Sequence, residues 1–155
     1  MQTLLTQLAH ADNAVRIVAE NALIKVGDPL PLIDVLADAS APNEARWRAA
    51  AILGDLADAR ALDVLIAALT DASPEVRTWA TWSLCLLHHP AAYAALTKII
   101  LQGAVDEHVP FMAGLGLLRQ DRAAAQPVYA QAEQSANEVT RRVALGVYAY
   151  VNHMG

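Results

Sequence analysis

The stretch Asp71-Ala72-Ser73-Pro74-Glu75-Val76-Arg77-Thr78-Trp79-Ala80 decides how this chain folds. Its first half reads as a turn that starts a helix. Ser73 supplies an N-cap oxygen, Pro74 takes the first helical position, and Glu75 sets negative charge against the positive end of the helix. Val76, Ala80, Leu84 and Leu87 then recur on one helical face. His88-His89-Pro90 closes the helix, because proline cannot continue it. Just upstream, Leu62, Leu65, Ile66 and Leu69 repeat at steps of three and four, with Asp58 as the expected cap. Two short amphipathic helices and the turn between them make a helical hairpin.

The same text recurs on both sides. Val15-Arg16-Ile17-Val18-Ala19 with Ala22-Leu23 matches Ala45-Arg46-Trp47-Arg48-Ala49 with Ile52-Leu53-Gly54, and both match Val76 to Ala80 with Ser83-Leu84. Weaker copies are Val109-Pro110-Phe111-Met112-Ala113 and Val139-Thr140-Arg141-Arg142-Val143. Taking Arg16, Arg46, Arg77, Pro110 and Thr140 as equivalent, the offsets are 30, 31, 33 and 30 residues. Five units at approximately 1–27, 28–57, 58–89, 90–120 and 121–155 account for the chain as one domain. Ten helices of roughly 9 to 16 residues are expected, with no strand. A hairpin this short cannot bury its apolar face alone, so neighbours must stack. The expected fold is all-α: a right-handed α-α superhelix, or solenoid, of about five hairpins.

Composition agrees. Of 155 residues, 33 are Ala and 21 are Leu, the mixture expected where helices pack closely on helices. The alanines at Ala19, Ala49, Ala80 and Ala113 fall where a second helix must approach. A formal charge of −5 and only two lysines, Lys25 and Lys98, argue against a nucleic-acid binder, which needs a basic track for phosphates. The single cysteine, Cys85, excludes an internal disulfide and a cysteine-built zinc site. Thr78 to Thr97 carries no Asp, Glu, Lys or Arg, but His88-His89-Pro90 interrupts it, so two buried helices meeting at a turn are expected and not a membrane span. Met1-Gln2-Thr3-Leu4-Leu5 lacks the basic start of a signal peptide. A cytoplasmic location is expected.

These motifs resemble HEAT repeats, specifically the short bacterial type named after phycobilisome lyases. There a turn aspartate precedes a Val-Arg pair, followed by spaced Ala and Ala-Leu-Gly. Asp71 with Val76-Arg77 fits, as does Arg46 with Ala49, Leu53 and Gly54. Asp38 lies two residues further from its arginine, across Ser40-Ala41-Pro42, and His10 takes the turn-aspartate position of the first unit. Units four and five depart most, with Pro110 and Thr140 at the arginine position and Ala104 and Gln134 at the aspartate position. The resemblance implies that Arg16, Arg46, Asp71 and Arg77 form a structural ladder of hydrogen bonds between neighbouring repeats.

It also implies that the second helix of each pair lines a concave side. A wheel then sends Thr78, Trp82 and Cys85 away from the core. The equivalents of Thr78 are Ile17, Trp47, Phe111 and Arg141; those of Trp82 include Leu115 and Leu145; those of Cys85 include Gly54 and Tyr148. The row Ile17, Trp47, Thr78, Trp82, Phe111, Leu115, Arg141 and Tyr148 is therefore the expected partner-binding surface, since exposed apolar and aromatic character is the mark of an interaction site. The alternative is that a tightly curved superhelix packs these side chains on one another and closes the groove. Trp79 is expected at the flank of the core as an inter-repeat packing residue. Arg141 and Arg142 would form a basic tip, opposite polar residues such as Glu20, Asn21 and Asp55.

Catalytic chemistry finds little support. His88 and His89, if helical, diverge by about 100° and do not share a metal readily; a helix C-terminus suits them better. Glu107-His108 invites comparison with deoxyhypusine hydroxylases, but those use repeated His-Glu pairs and this chain has one, reversed. Cys85 has no Lys or His at a neighbouring position of its row to activate it. No metal, no cofactor and no catalytic residue are expected. The function expected is a non-catalytic scaffold that binds a protein or peptide in a concave apolar groove; the alternative is a subunit of a bilin lyase or related chromophore-handling enzyme. The apolar C-terminal helix, with Val143, Val147, Tyr148, Tyr150 and Val151, leaves room for a homodimer through that end or for a longer solenoid.

Overall fold

The computed structural model describes residues 1–103 and 107–153, with side chains described as far as 150. The turn position Ala104 and the side chain of Val151 lie outside the described residues. All elements among the described residues are helical. They form two compact units, residues 1–87 and 88–155. The fold is all-α, an array of five helical hairpins.

In the first unit, α1 (Gln2–Gln7) pairs with α2 (Asn13–Val26), α3 (Leu30–Ala37) with α4 (Asn43–Leu56), and α5 (Leu62–Ala68) with α6 (Pro74–Leu86). First helices touch first helices (α1 with α3, α3 with α5), and second helices touch second helices (α2 with α4, α4 with α6). Two layers result. Between them lie Leu8, Leu23, Leu32, Leu36, Leu53, Leu65 and Leu84, each 1% exposed or less. The second unit repeats the scheme with α7 (Pro90–Gln102), α8 (His108–Gln120), α9 (Arg122–Glu133) and α10 (Glu138–His153), around Leu96, Ile100, Leu117 and the fully buried Tyr129.

Several helix starts carry side-chain caps, Ser73 as the sequence announces. Ser73 Oγ accepts from the Val76 N–H at 3.4 Å, with Pro74 opening α6. Asp12 caps α2, Asp121 caps α9, and Asn137 Oδ1 accepts from the Val139 and Thr140 N–H groups at the start of α10. Gly27 ends α2 at φ +72°, in the left-handed region that glycine enters without strain. Gly27→Ala is expected to lower stability by about 1 kcal/mol, read from the midpoint of urea unfolding; an unchanged midpoint would mean the turn simply rearranges.

Three details differ from the sequence reading. Several first helices are shorter than expected: α1 has 6 residues and α5 has 7. Asp58 does not cap α5; it caps a 3₁₀ turn over Ala59–Ala61 that leads into α5, accepting from the Arg60 N–H at 2.9 Å. The Arg60 guanidinium, then that N–H, hold the Asp58 carboxyl down to about 2. Nor do the two histidines close α6. The helix ends at Leu86, His88 turns the chain at φ +46°, and His89 is the N-cap of α7, its Nδ1 accepting from the Ala91 N–H at 3.2 Å. A proline that forbids continuation also makes a good first residue, so the segment before it serves the next helix.

Candidate protein-interaction face

The arginine that follows the turn in the first three hairpins has a recurring task. Arg77 Nη1 donates to the carbonyls of Asp71 and Ala72, at 2.8 and 3.1 Å. Arg16 Nη1 donates in the same way to the carbonyls of His10 and Ala11. Arg46 donates through Nε and Nη2 to the Leu36 carbonyl at the end of α3, and its guanidinium also grips both oxygens of Asp71 in the next hairpin. Asp38, the turn aspartate of its own repeat, accepts instead from Ser40. The longer Ser40-Ala41-Pro42 turn gives that carboxylate a local partner.

The fifth repeat corrects the sequence alignment by one residue. Arg141, not Thr140, does the arginine's work: its Nη1 donates to the Ser135 carbonyl, six residues back, as Arg16 and Arg77 do to His10 and Asp71. With that shift Ala144, fully buried, becomes the equivalent of Ala19, Ala49 and Ala80, and the last offset becomes 31 rather than 30. Arg141 is thus bonded to its own turn. Arg142 pairs with Glu107, so the basic tip expected from these two arginines is not a pair of free cations.

Burial on α6 also redraws the expected solvent row. Val76, Arg77, Ala80, Thr81, Ser83, Leu84 and Cys85 are all buried, an arc of about 200° at 100° per residue. A second helix inside a stack is covered both by its hairpin partner α5 and by the preceding second helix α4. The exposed direction therefore rotates away from Thr78 and Cys85. Thr78 and Trp82 are half-buried, Cys85 is buried, and Trp79 emerges at 37% exposure. Gly54, expected on the same row as Cys85, is buried against Ser83.

The consequence is a band across α2, α4 and α6 made by the two residues that follow each arginine. Ile17 and Val18 are 45% and 65% exposed. Trp47 is half-buried and lies nearly parallel to Trp79 of the next hairpin, with ring centroids 5.6 Å apart. Trp79 thus packs between repeats and shows an edge to solvent. Arg48 holds the band together. Its guanidinium carbon sits 4.1 Å from the Trp47 ring centroid, and its N–H groups reach Glu44 on the same helix and Glu20 on α2. Glu44 also accepts from Trp47 Nε1 at 3.0 Å, and Arg16 lies 3.7 Å from it. The Arg48 guanidinium, with help from Trp47, holds the Glu44 carboxyl below the usual range. Charges inside the band are thus matched, and what it offers outward is apolar and aromatic.

In the second unit, Phe111 and Tyr148 are half-buried in edge-to-face contacts, Phe111 with Tyr150 at 6.1 Å and Tyr148 with Tyr129 at 5.0 Å. Leu115 is half-buried, while Leu145 and Tyr150 are 60% and 47% exposed. Trp79, Val18 and Arg48 are the residues that sequence reasoning did not place on the face. Their signal was present, since all three stand two residues after an aligned arginine.

A family model described as HEAT repeats matches residues 29–109, more than half of the chain. The chain belongs to the HEAT-repeat family. Its HEAT hairpins are similar to a solved chain in the complex of CpcE and CpcF of phycocyanin lyase from Nostoc sp. PCC7120, at 25% identity and a TM-score of 0.70, covering 95% of this chain and 96% of that one. Human deoxyhypusine hydroxylase is similar at 18% identity and a TM-score of 0.65, covering 98% of this HEAT chain and 62% of the hydroxylase. An engineered protein matches at 18% identity and a TM-score of 0.53, over 97% of this chain and 47% of its own. These last two speak for the fold alone. No curated protein matches. Among the described residues no group of His, Cys, Asp and Glu could hold a metal ion, and no helix is long and apolar enough to cross a membrane.

Proposed function

We propose that this HEAT-repeat chain is a non-catalytic, cytoplasmic interaction module that docks a protein or peptide on the band of Ile17, Val18, Trp47 and Trp79. The observation that carries the reading is Trp79, partly exposed and stacked on Trp47, a contact that restrains its ring. A restrained aromatic loses little entropy on binding and offers a large apolar area, which is the usual makeup of a binding hot spot. Thr78 within the band and Trp82 beside it are further expected contributors; Phe111, Leu115 and Tyr148 are expected to offer a separate contact surface on the second unit.

Trp79→Ala is expected to weaken partner binding at least tenfold, the scale of one hot-spot residue. Its cost in stability should stay near that of one aromatic pair, about 1 kcal/mol. Capture from extract of the source cells, followed by titration of the captured partner with wild type and variant, measures the first; urea unfolding measures the second. Severe destabilisation with undiminished binding would make the tryptophan pair core and sink the proposal.

A second reading, a subunit of a bilin lyase, is favoured by the likeness to the phycocyanin lyase complex over nearly the full length of both chains. Titration with bilins separates the two: an absorbance shift at one-to-one stoichiometry supports the lyase reading. A second copy of the chain, bound through Leu145 and Tyr150 on α10, is the third occupant to test, by light scattering over a dilution series.

A further inference from the structure

A second surface lies on the opposite layer of the first unit. A cleft of about 660 Å³ opens between α1, α3 and the turn leading into α4. Leu5, Leu30, Pro31 and Val35 form its apolar lining, and Asp34 and Asp38 add the only ionisable side chains on its walls. Its volume lies within the range of sites that hold a compact ligand. Leu30 stands 52% exposed beside it, an apolar side chain with no full cover.

The electrostatics lean negative: the carboxylates of Asp34 and Asp38 stand against the α-ammonium of Met1, which also lines the cleft. No lysine, arginine or histidine side chain lines the cleft. Arg46, whose charge acts on Asp38, is itself buried and bonded to the Leu36 carbonyl and to Asp71. The Ser40 hydroxyl and N–H each donate to the Asp38 carboxylate and hold it ionised. Asp34 is exposed. The cleft is thus an apolar trough in which two carboxylates exceed the one ammonium of Met1, whereas the charges within the tryptophan band are matched to one another.

We propose that the cleft between α1 and α3 is a docking site for a short apolar segment of a protein partner that carries lysine or arginine beside its apolar residues. Apolar side chains of the segment replace water over Leu30, Pro31 and Val35, and its cation lies between Asp34 and Asp38. The site is separate from the tryptophan band and does not depend on it.

The probe is a short fluorescein-labelled amphipathic peptide with leucines on one face and flanking lysines, compared with a twin in which glutamates replace the lysines. Fluorescence anisotropy with the whole chain is expected to give about tenfold tighter binding of the lysine peptide at low salt, the scale of two partly screened ion pairs. The gap should narrow as salt rises. Asp34→Asn is expected to weaken the lysine peptide about threefold, Leu30→Glu to remove its binding, and Trp79→Ala to leave it unchanged. Equal binding of the two peptides overturns the proposal, as does full binding by the Leu30→Glu chain. Loss of binding in Trp79→Ala would move the peptide to the tryptophan band. Self-association of the chain that Leu30→Glu abolishes would make the occupant a second copy. Either result also overturns it.

Discussion

Arg46→Ala is expected to reduce the free energy of unfolding by about 3 kcal/mol, the lower end of the range for removing one partner of a buried ion pair. The guanidinium is nearly enclosed, with the Arg46 side chain 8% exposed and Asp71 13%. It joins three pieces of chain: the end of α3 through the Leu36 carbonyl, its own helix α4, and the next turn through Asp71. Its loss leaves a buried carbonyl short of donors and a carboxylate short of its counter-charge. Urea unfolding at neutral pH measures the effect, and a change under 1 kcal/mol would show the pair to be dispensable.

The same pair sets an acid limit. Burial pushes the Asp71 carboxyl upward, but hydrogen bonds from Arg46 and the Ser73 N–H, with the charges of Arg46 and Arg77, outweigh it and leave it below the usual range. A lowered folded-state value contributes stability that is fully present above the unfolded value, about 4. That contribution fades as pH falls through the folded value. The urea midpoint should therefore hold steady from neutral pH down to about pH 5 and decline below about pH 4, less steeply in Asp71→Asn.

Gly54→Ala is the second large effect. A Cβ on Gly54 would lie 2.5 Å from Ser83 Oγ and 2.9 Å from Ser83 Cα, so the obstacle includes backbone and not only a movable side chain. Ser83 is itself committed, its Oγ donating to the Ala50 carbonyl of α4 at 2.7 Å. Inserting the methyl must part α4 from α6, at a cost of about 2 to 3 kcal/mol, typical of overpacking. Ser83→Gly removes two of the three nearest atoms, so the double variant should lose clearly less than the two single losses added together. Thermal unfolding followed by circular dichroism reads all three proteins. Strict additivity would mean the helices do not approach as closely as Gly54 and Ser83 indicate.

Much of the architecture was legible before any coordinates. Caps are local chemistry, so Ser73 could be named from its neighbours alone, and the recurring arginine marked the first three hairpins. Errors arose where a local signal served two elements or where two alignments were nearly equal. His89 precedes a proline that both ends one helix and opens the next. Thr140-Arg141-Arg142 offers two arginines and a threonine for one register, and only the bond from Arg141 to Ser135 separates the choices. Asp38, set further from its arginine by a longer turn, finds a nearer donor in Ser40.

The apolar residues at steps of three and four, together with the hairpin repeat, determined that this chain is all helix and must stack. That follows because an amphipathic helix of this length has nowhere else to bury its apolar stripe. Which edge of each second helix remains in water was decided only by the stacking itself. One helix has one apolar stripe on a wheel, but α6 is covered by α4 as well as by α5, and the double cover widens the buried arc until Cys85 lies inside it. The outward direction then falls on Trp79. No reading of a single helix contains that rotation, because the neighbour that causes it lies some thirty residues away in the chain.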